Sequence, residues 1–191
     1  MRKTFKPSSG PPTIESVLYS KPGYLIRRLQ QIAVSIFFEE TAAFDITPIQ
    51  YATLATVAVY PGIDQLRVAN AVGLDRTTIG GVLERLEFKE LLNRQHAPYD
   101  RRARMLYPTA KGERLLRDIQ KATQQVQDRI LEPLGAKEQQ NFIASLERLV
   151  QSHNEISRVP INEQLLPGRS AAAGRLQLGT EAPVRGRAKT K

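Results

Sequence analysis

Residues 72–87 read Val72-Gly-Leu-Asp-Arg-Thr-Thr-Ile-Gly-Gly-Val-Leu-Glu-Arg-Leu-Glu87, and residues 100–112 read Asp100-Arg-Arg-Ala-Arg-Met-Leu-Tyr-Pro-Thr-Ala-Lys-Gly112. In the first stretch Ile79, Val82, Leu83 and Leu86 recur at helical spacing and make one apolar stripe. Asp75 stands just ahead of them as an N-cap, because a short carboxylate can accept the free N–H groups of a first helical turn. Gly73 suits the left-handed position that closes a preceding helix. That helix is predicted over 65–72, with Leu66, Ala69 and Val72 inward. Downstream, 91–95 and 104–107 are β-like runs joined by a polar loop, 96–103. Short helix, Gly-turn, capped helix and basic-tipped ribbon, in that order, describe a winged helix-turn-helix.

DNA reading explains each of these parts. A helix fits the major groove and presents side chains to base edges. If the stripe of 76–90 faces inward, Arg76, Thr77, Gly80, Gly81 and Glu84 face the groove, with Thr78 flanking and Arg85 at the edge. Two adjacent glycines inside a helix cost about 1 kcal/mol each relative to alanine. Either they let the helix backbone sit closer to DNA, leaving Arg76, Thr77 and Thr78 to read it, or they are a drifted surface feature. The ribbon, 93–107, holds Arg94, Arg101, Arg102 and Arg104 against one acid, Asp100. Arginines on such a ribbon can enter an adjacent minor groove, where narrow A·T tracts concentrate negative potential.

Longer helices flank this unit. The segment 22–44 repeats Leu25, Leu29, Ile32 and Ile36 on one face. Thr47 and Pro48 are N-cap and first-turn residues of a helix over 48–59, with Tyr51, Leu54, Ala55 and Ala58 together. Thr109 caps a long single helix carrying Leu115, Ile119, Ala122, Val126 and Ile130 in register. The last helix, 136–158, aligns Phe142, Leu146, Leu149, His153 and Ile156. These outer seams are longer than a winged core can cover. Each packs within its own subunit, or 14–44 and 118–158 interleave with a second chain. The expected fold is mainly α with a small β-wing: a winged helix-turn-helix, 47–117, flanked by long dimerisation helices, 14–46 and 118–159.

The 191 residues carry 28 Lys plus Arg against 19 Asp plus Glu, a net charge of +9. Such an excess argues for an anionic partner rather than for any fold. Residues 1–13 contribute +3 and residues 160–191 contribute +4; both are poor in apolar residues and are expected to be disordered basic arms. Within 14–159 the charge is uneven: 47–117 sums to +4, while 14–46 and 118–159 each sum to −1. There is no cysteine, which excludes disulfides, thiolate catalysis and cysteine-based zinc fingers. The two histidines, His96 and His153, are too few and too far apart for a histidine-built metal site. His96 reads as an exposed loop residue or a phosphate contact, His153 as a packed seam residue. No run approaches membrane-spanning length, and the basic N-terminus lacks the apolar segment of a signal peptide. The expected setting is the cytoplasm, associated with the nucleoid, with no membrane partner.

These residues resemble the MarR-type transcriptional regulators over roughly 22–158. The resemblance is carried by Leu74-Asp-Arg-Thr-Thr-Ile79 running into Leu86-Glu87, and by the wing, where Asp100, Arg102, Leu106, Thr109 and Gly112 follow the family pattern. Pro108 stands where leucine is usual, and Gly80-Gly81 replaces the Ser or Thr and Arg often found there. The resemblance implies a homodimeric, non-catalytic protein that needs no cofactor, binds a palindromic double-stranded DNA operator and acts as a repressor. Arg102 looks like the wing arginine of the minor groove, Asp100 like the carboxylate that holds it, and Arg94, Arg101 and Arg104 like phosphate contacts. It also implies release by a small organic effector, such as an aromatic acid or its acyl-CoA thioester, held between the dimerisation helices and the winged unit. Arg27, Arg28, Phe37, Phe38, Phe44, Tyr51 and Tyr60 are the candidate lining, although aromatic residues at helical spacing serve equally well as core. Arg28 could pair with a ligand anion or with Glu39 or Glu40. The absence of cysteine sets aside the thiol-peroxide branch of the family. The alternative is a non-specific DNA-organising basic protein; no Ser/His/Asp set or phosphate-binding loop supports an enzyme.

Overall fold

A computed structural model of the chain describes residues 13–96 and 104–162. Its centre is α2 (Pro48–Val59). Thr47 accepts a hydrogen bond from the Gln50 N–H, and the Gln50 side chain accepts one from the Thr47 N–H, a reciprocal cap that closes the first turn. Pro48 follows at the position where a missing N–H costs nothing. The sequence predicts a single apolar face on this helix. Instead Gln50, Thr53, Leu54, Val57 and Ala58 are all buried, because α2 is surrounded on several sides. The buried Thr53 hydroxyl donates back to the Ile49 carbonyl at 2.7 Å, which satisfies it without an external partner.

Around α2 pack α3 (Gln65–Ala71), α4 (Arg76–Phe88), α5 (Ala110–Asp118) and a three-stranded antiparallel sheet. The sheet holds β1 (Ile63–Asp64), β2 (Leu92–His96) and β3 (Arg104–Pro108) in the order β1-β3-β2. Its register pairs Ile63 with Leu106, and Asn93 with Tyr107. The two-residue β1 is too short to leave a period in the sequence, which predicts only the two strands of the ribbon. Val68 and Ala69 fill the inner side of α3, whereas Leu66 is 62% exposed. Ala69 and Val72 face the core as predicted, Leu66 does not, and Val68 and Asn70 come inside beside Ala69.

α1 (Pro22–Glu40) runs into a 3-10 turn at Ala42–Phe44 and a left-handed Asp45. It ends before the predicted 44, at the C-cap Thr41, whose hydroxyl returns to the Phe37 carbonyl at 2.6 Å. α1 packs on α6 (Gln120–Leu131), where Arg129 reaches Glu40 at 2.6 Å and Glu39 at 2.9 Å. These hydrogen bonds push the Arg129 pKa above its ordinary value. The single long helix expected after Thr109 is two segments, α5 and α6, meeting at Ile119. The bonds Ile119 N–H to Leu115 O and Thr123 N–H to Ile119 O cross the junction, so helical hydrogen bonding runs through it. α7 (Ala136–Ser152) is followed by a 3-10 turn, Asn154–Ile156, in place of the continuous helix predicted to 158. No residue of α7 is buried, and Leu146, Leu149 and Val150 lie exposed along it.

The first turn of α5 lies against the corner between α4 and β2. Thr109 caps α5 by accepting from the Gly112 N–H at 3.0 Å, while its own hydroxyl donates to the Glu90 carbonyl at 2.6 Å and its N–H to the Leu91 carbonyl. A Cβ on Gly112 would stand 2.0 Å from the Leu91 carbonyl oxygen, which is backbone and cannot swing aside. Gly112→Ala is expected to destabilise the chain by roughly 3 kcal/mol through overpacking, read as a fall in the urea midpoint. A wild-type midpoint would show that this corner has room to spare.

Candidate nucleic-acid interface

α4 begins at Asp75, whose Oδ1 accepts from the Thr77 and Thr78 N–H groups at 3.1 and 2.9 Å. Its Oδ2 accepts the Thr78 hydroxyl at 2.9 Å. The bonds from Thr78, backbone first and side chain second, hold the Asp75 carboxyl below its ordinary pKa; Arg158, 3.8 Å away, adds a smaller pull in the same direction. The helix dipole favours a negative charge here as well. Ahead of it, Gly73 sits at φ +67, and the Leu74 N–H bonds back to the Ala69 carbonyl. The turn between α3 and α4 is thus fixed by one glycine and one capping carboxylate.

Ile79, Val82, Leu83 and Leu86 are buried, as their spacing predicts. Arg76, Thr77, Thr78, Glu84 and Arg85 lie on the other side, and Gly80 and Gly81 are half-buried. The Thr78 hydroxyl proton is committed to Asp75, leaving that oxygen to act outward as an acceptor only. Gly80 would place a Cβ at an ordinary 3.8 Å from the Gln65 amide, and Gly81 would meet nothing within 4 Å. Neither glycine is demanded by packing inside the chain. Gln65, whose amide reaches toward the Arg76 carbonyl at 3.5 Å, is a neighbour of this face that periodicity has no means to reveal.

On the wing, β2 and β3 present Arg94 and Arg104. Arg104 is exposed and pairs in register with His96. Arg94 is different: its Nε lies 2.9 Å from Glu87 Oε2 on α4, and its side chain is only 20% exposed. Nε and Nη2 are out of solvent and make no directed hydrogen bond, so the contact is ionic. Arg94 therefore braces the wing against α4. Asp100, Arg101 and Arg102 lie outside the described residues.

Of the predicted ligand-lining residues, the structure brings Phe38 and Tyr51 against Phe37 and gives Arg27 and Arg28 partners elsewhere on α1. Phe37 is buried, edge-on to Phe38 and tilted against Tyr51, each at 6.2 Å between ring centroids. Tyr51, Tyr60 and Phe44 are half-buried against the core, and Phe38 is exposed. Arg27 stacks over the Tyr24 ring at 5.3 Å, and Arg28 donates to Gln31 at 3.0 Å. Glu39 and Glu40, the alternative partners for Arg28, are both taken by Arg129. His153 is the C-cap of α7, where the helix ends, and is exposed on the single chain. Among the described residues, no cluster of His, Asp or Glu could hold a metal ion, and no helix is long and apolar enough to cross a membrane.

A capped helix on a Gly-turn, with an antiparallel ribbon beside it, is the apparatus of a winged-helix DNA-binding protein. The profile described as MarR family matches residues 46–103. The transcriptional regulator HosA of Escherichia coli O111:H- is 31% identical over 106 residues, covering 56% of this chain and 78% of HosA. The PcaV transcriptional regulator of Streptomyces coelicolor, solved with its natural ligand, superposes with a TM-score of 0.64 at 32% identity, covering 74% of this chain and 97% of PcaV. The transcriptional repressor CouR, solved on a 23-mer DNA duplex, superposes with a TM-score of 0.67 at 26% identity, covering 74% and 99%. The chain belongs to the MarR family and is a MarR-type transcriptional regulator, a DNA-binding protein and not an enzyme.

The Asp75 geometry carries a pH dependence. Its folded pKa lies below the ordinary 3.8, so the charge contributes stability above that value and loses it as pH falls through the folded one. Asp75→Asn keeps a capping acceptor and removes the charge. The stability gap between wild type and variant should be constant near neutrality and close on acidification below 3.8, measured by urea unfolding at several pH values. A gap that widens on acidification would contradict the assignment.

Proposed function

We propose that the protein is a repressor that binds a palindromic operator as a homodimer and is released by a small organic effector. The observation that carries the dimer is α7: it is 17 residues long, buries none of them, and aligns Leu146, Leu149 and Val150 on its surface. A folded chain rarely leaves such a seam open, and a second copy of the same helix region is the simplest cover. Leu25 and Ile32 of α1 are exposed in the same way. Two winged units related by a two-fold axis would meet two half-sites of a palindrome. PcaV was solved with its natural ligand and CouR on a DNA duplex, which supports effector control and DNA binding by this chain. An aromatic acid or its CoA thioester is the effector class proposed, with Arg27, Arg28, Phe37, Phe38, Tyr51 and Tyr60 as the first residues to vary. This reading places the protein in the cytoplasm, with the nucleoid.

Sedimentation tests the assembly directly. Wild type should run as a dimer, and Leu146→Glu with Leu149→Glu should run as a folded monomer that no longer protects an operator. A wild-type monomer that still binds would remove the dimer from the reading.

At the DNA itself, Arg76, Thr77, Thr78 and Arg85 are proposed as the reading face, with Arg101, Arg102 and Arg104 on the wing and Asp100 orienting Arg102. Arg94 joins them only as the brace described above. Gly80→Ala with Gly81→Ala should stabilise the free chain by roughly 2 kcal/mol yet weaken operator binding, because the added methyls hold the backbone off the groove. Arg102→Ala should lower affinity about tenfold or more, the effect of removing a charge-assisted contact, at unchanged melting temperature. Footprinting on the DNA flanking the gene, with and without aromatic acids, reads both outcomes. Uniform protection with no preferred site would favour a DNA-organising protein, and wild-type affinity in both variants would reject the reading face.

A further inference from the structure

Past its two glycines, α4 carries a second pair of side chains on its outward side, Glu84 and Phe88. Phe88 follows the buried Leu86 by two residues, about 200° round the helix axis. It is 90% exposed, against 48% for Phe38. Thr77, Gly81, Glu84 and Phe88 stand at steps of four, three and four, so they form one line along the helix, opposite the stripe of Ile79, Val82, Leu83 and Leu86. Leu86, Glu87 and Lys89 beside them are engaged elsewhere. Leu86 is in the core, Glu87 holds Arg94 at 2.9 Å, and Lys89 holds Asp45 at 3.0 Å. Among the described residues, no ion pair reaches Glu84.

A lone exposed ring is common on protein surfaces, and a lone carboxylate there is ordinarily a solvated one. What singles these two out is the line they share with Thr77, on a helix whose exposed side also carries Arg76 and Arg85. A carboxylate brought among phosphates weakens binding to every sequence unless a donor meets it. In the major groove the donors on base edges are the amino groups of cytosine and adenine. Adenine sets its N7 acceptor beside that amino group, which repels a carboxylate; cytosine presents its amino group alone. For the ring, the matching apolar group in the groove is the C5 methyl of thymine. The helix rise puts Glu84 and Phe88 about 6 Å apart along the axis. That is close to two base-pair steps of about 3.4 Å each.

We infer that Glu84 and Phe88 are specificity-determining residues: Glu84 accepts the amino group of a cytosine, and Phe88 packs on the methyl group of a thymine about two steps away. The inference rests on the reading of α4 as the helix in the major groove, and it extends base contact from the first turn, Arg76 to Thr78, to the last. Gly81 stands between Thr77 and Glu84 on the same line, so no side chain there holds the second half of the helix off the bases. These contacts act differently from the wing arginines. Arginines on phosphates raise affinity for any sequence, whereas Glu84 lowers it wherever its base is missing.

Selection by the full chain from a duplex pool randomised over palindromic half-sites, followed by affinity measurements on the enriched fragment, tests both contacts. The wild-type motif should hold a cytosine and a thymine about two steps apart. Glu84→Gln should move the preference at the cytosine position to adenine, because an amide matches the adenine amino group and N7 together. It should also raise affinity for unrelated DNA by removing a negative charge. Phe88→Ala should lose the preference for thymine. Replacing that thymine by deoxyuridine, which lacks only the methyl, should weaken wild type about fourfold, the effect of burying one methyl-sized group, and leave Phe88→Ala unaffected. Both variants should keep the wild-type melting temperature, since both side chains are exposed. A variant that enriches the wild-type motif would overturn the contact assigned to its residue, and a wild type indifferent to deoxyuridine at every thymine would overturn the methyl contact. Phe88→Ala running as a monomer in sedimentation would make the ring an interface residue and overturn its assignment. If wild type enriches no motif at all, the operator reading itself falls, a different result from a motif that the variants leave unaltered.

Discussion

The contact of Gly112 with the Leu91 backbone is the constraint on which the arrangement depends. Three functional parts meet there. α4 ends at the corner that Leu91 continues, β2 starts the wing from the same residues, and α5 begins the arm that leads to α6 and α7. Thr109 adds bonds to both Glu90 and Leu91, so the corner is fixed by polar contacts as well as by close approach. Glu90 holds φ +58 in this corner, a conformation uncommon for a residue with a Cβ, and the bond from Thr109 helps to keep it. A shift of α5 at one end would therefore reach the recognition helix and the wing together. That is the mechanical link a regulator needs if an effector between helices is to alter DNA binding.

The electrostatics are organised around caps and braces more than around free charge. Asp75 caps the helix that carries the groove-facing residues, and its oxygens are taken up by Thr77 and Thr78. Arg94 is drawn into a pair with Glu87, which fixes the ribbon to α4. Lys89 likewise ties the end of α4 to Asp45, in the loop before α2. Ion pairs at the edge of a protein surface contribute little to stability singly. Their value is positional, since a recognition helix held at both ends and a wing held at its root present the same face on each encounter.

Much of this is legible in sequence because caps and periodicity are local. Thr47, Asp75 and Thr109 cap the helices that their positions predict, and Gly73 takes the left-handed conformation its place after a short helix implies. The stripe Ile79, Val82, Leu83 and Leu86 is buried to the last member. Where local pattern is weak, prediction slips. α3 is too short for its phase to be read, so its spacing turns Leu66 inward and gives no sign of Asn70. The two-residue β1 has no period at all. The aromatic residues proposed as ligand lining share helical spacing with core residues, and periodicity cannot separate the two roles.

The element order, the caps, the stripe of α4 and the concentration of positive charge in the winged segment are written in the local sequence, since each follows from residues within a few positions of one another. The folded packing is what pairs Arg94 with Glu87, gives Glu39 and Glu40 to Arg129 and not Arg28, and has Asn70 fasten residues 160–162. Most of those pairings join positions far apart in the chain. They depend on how helices are turned once α2 is enclosed, which no local spacing records.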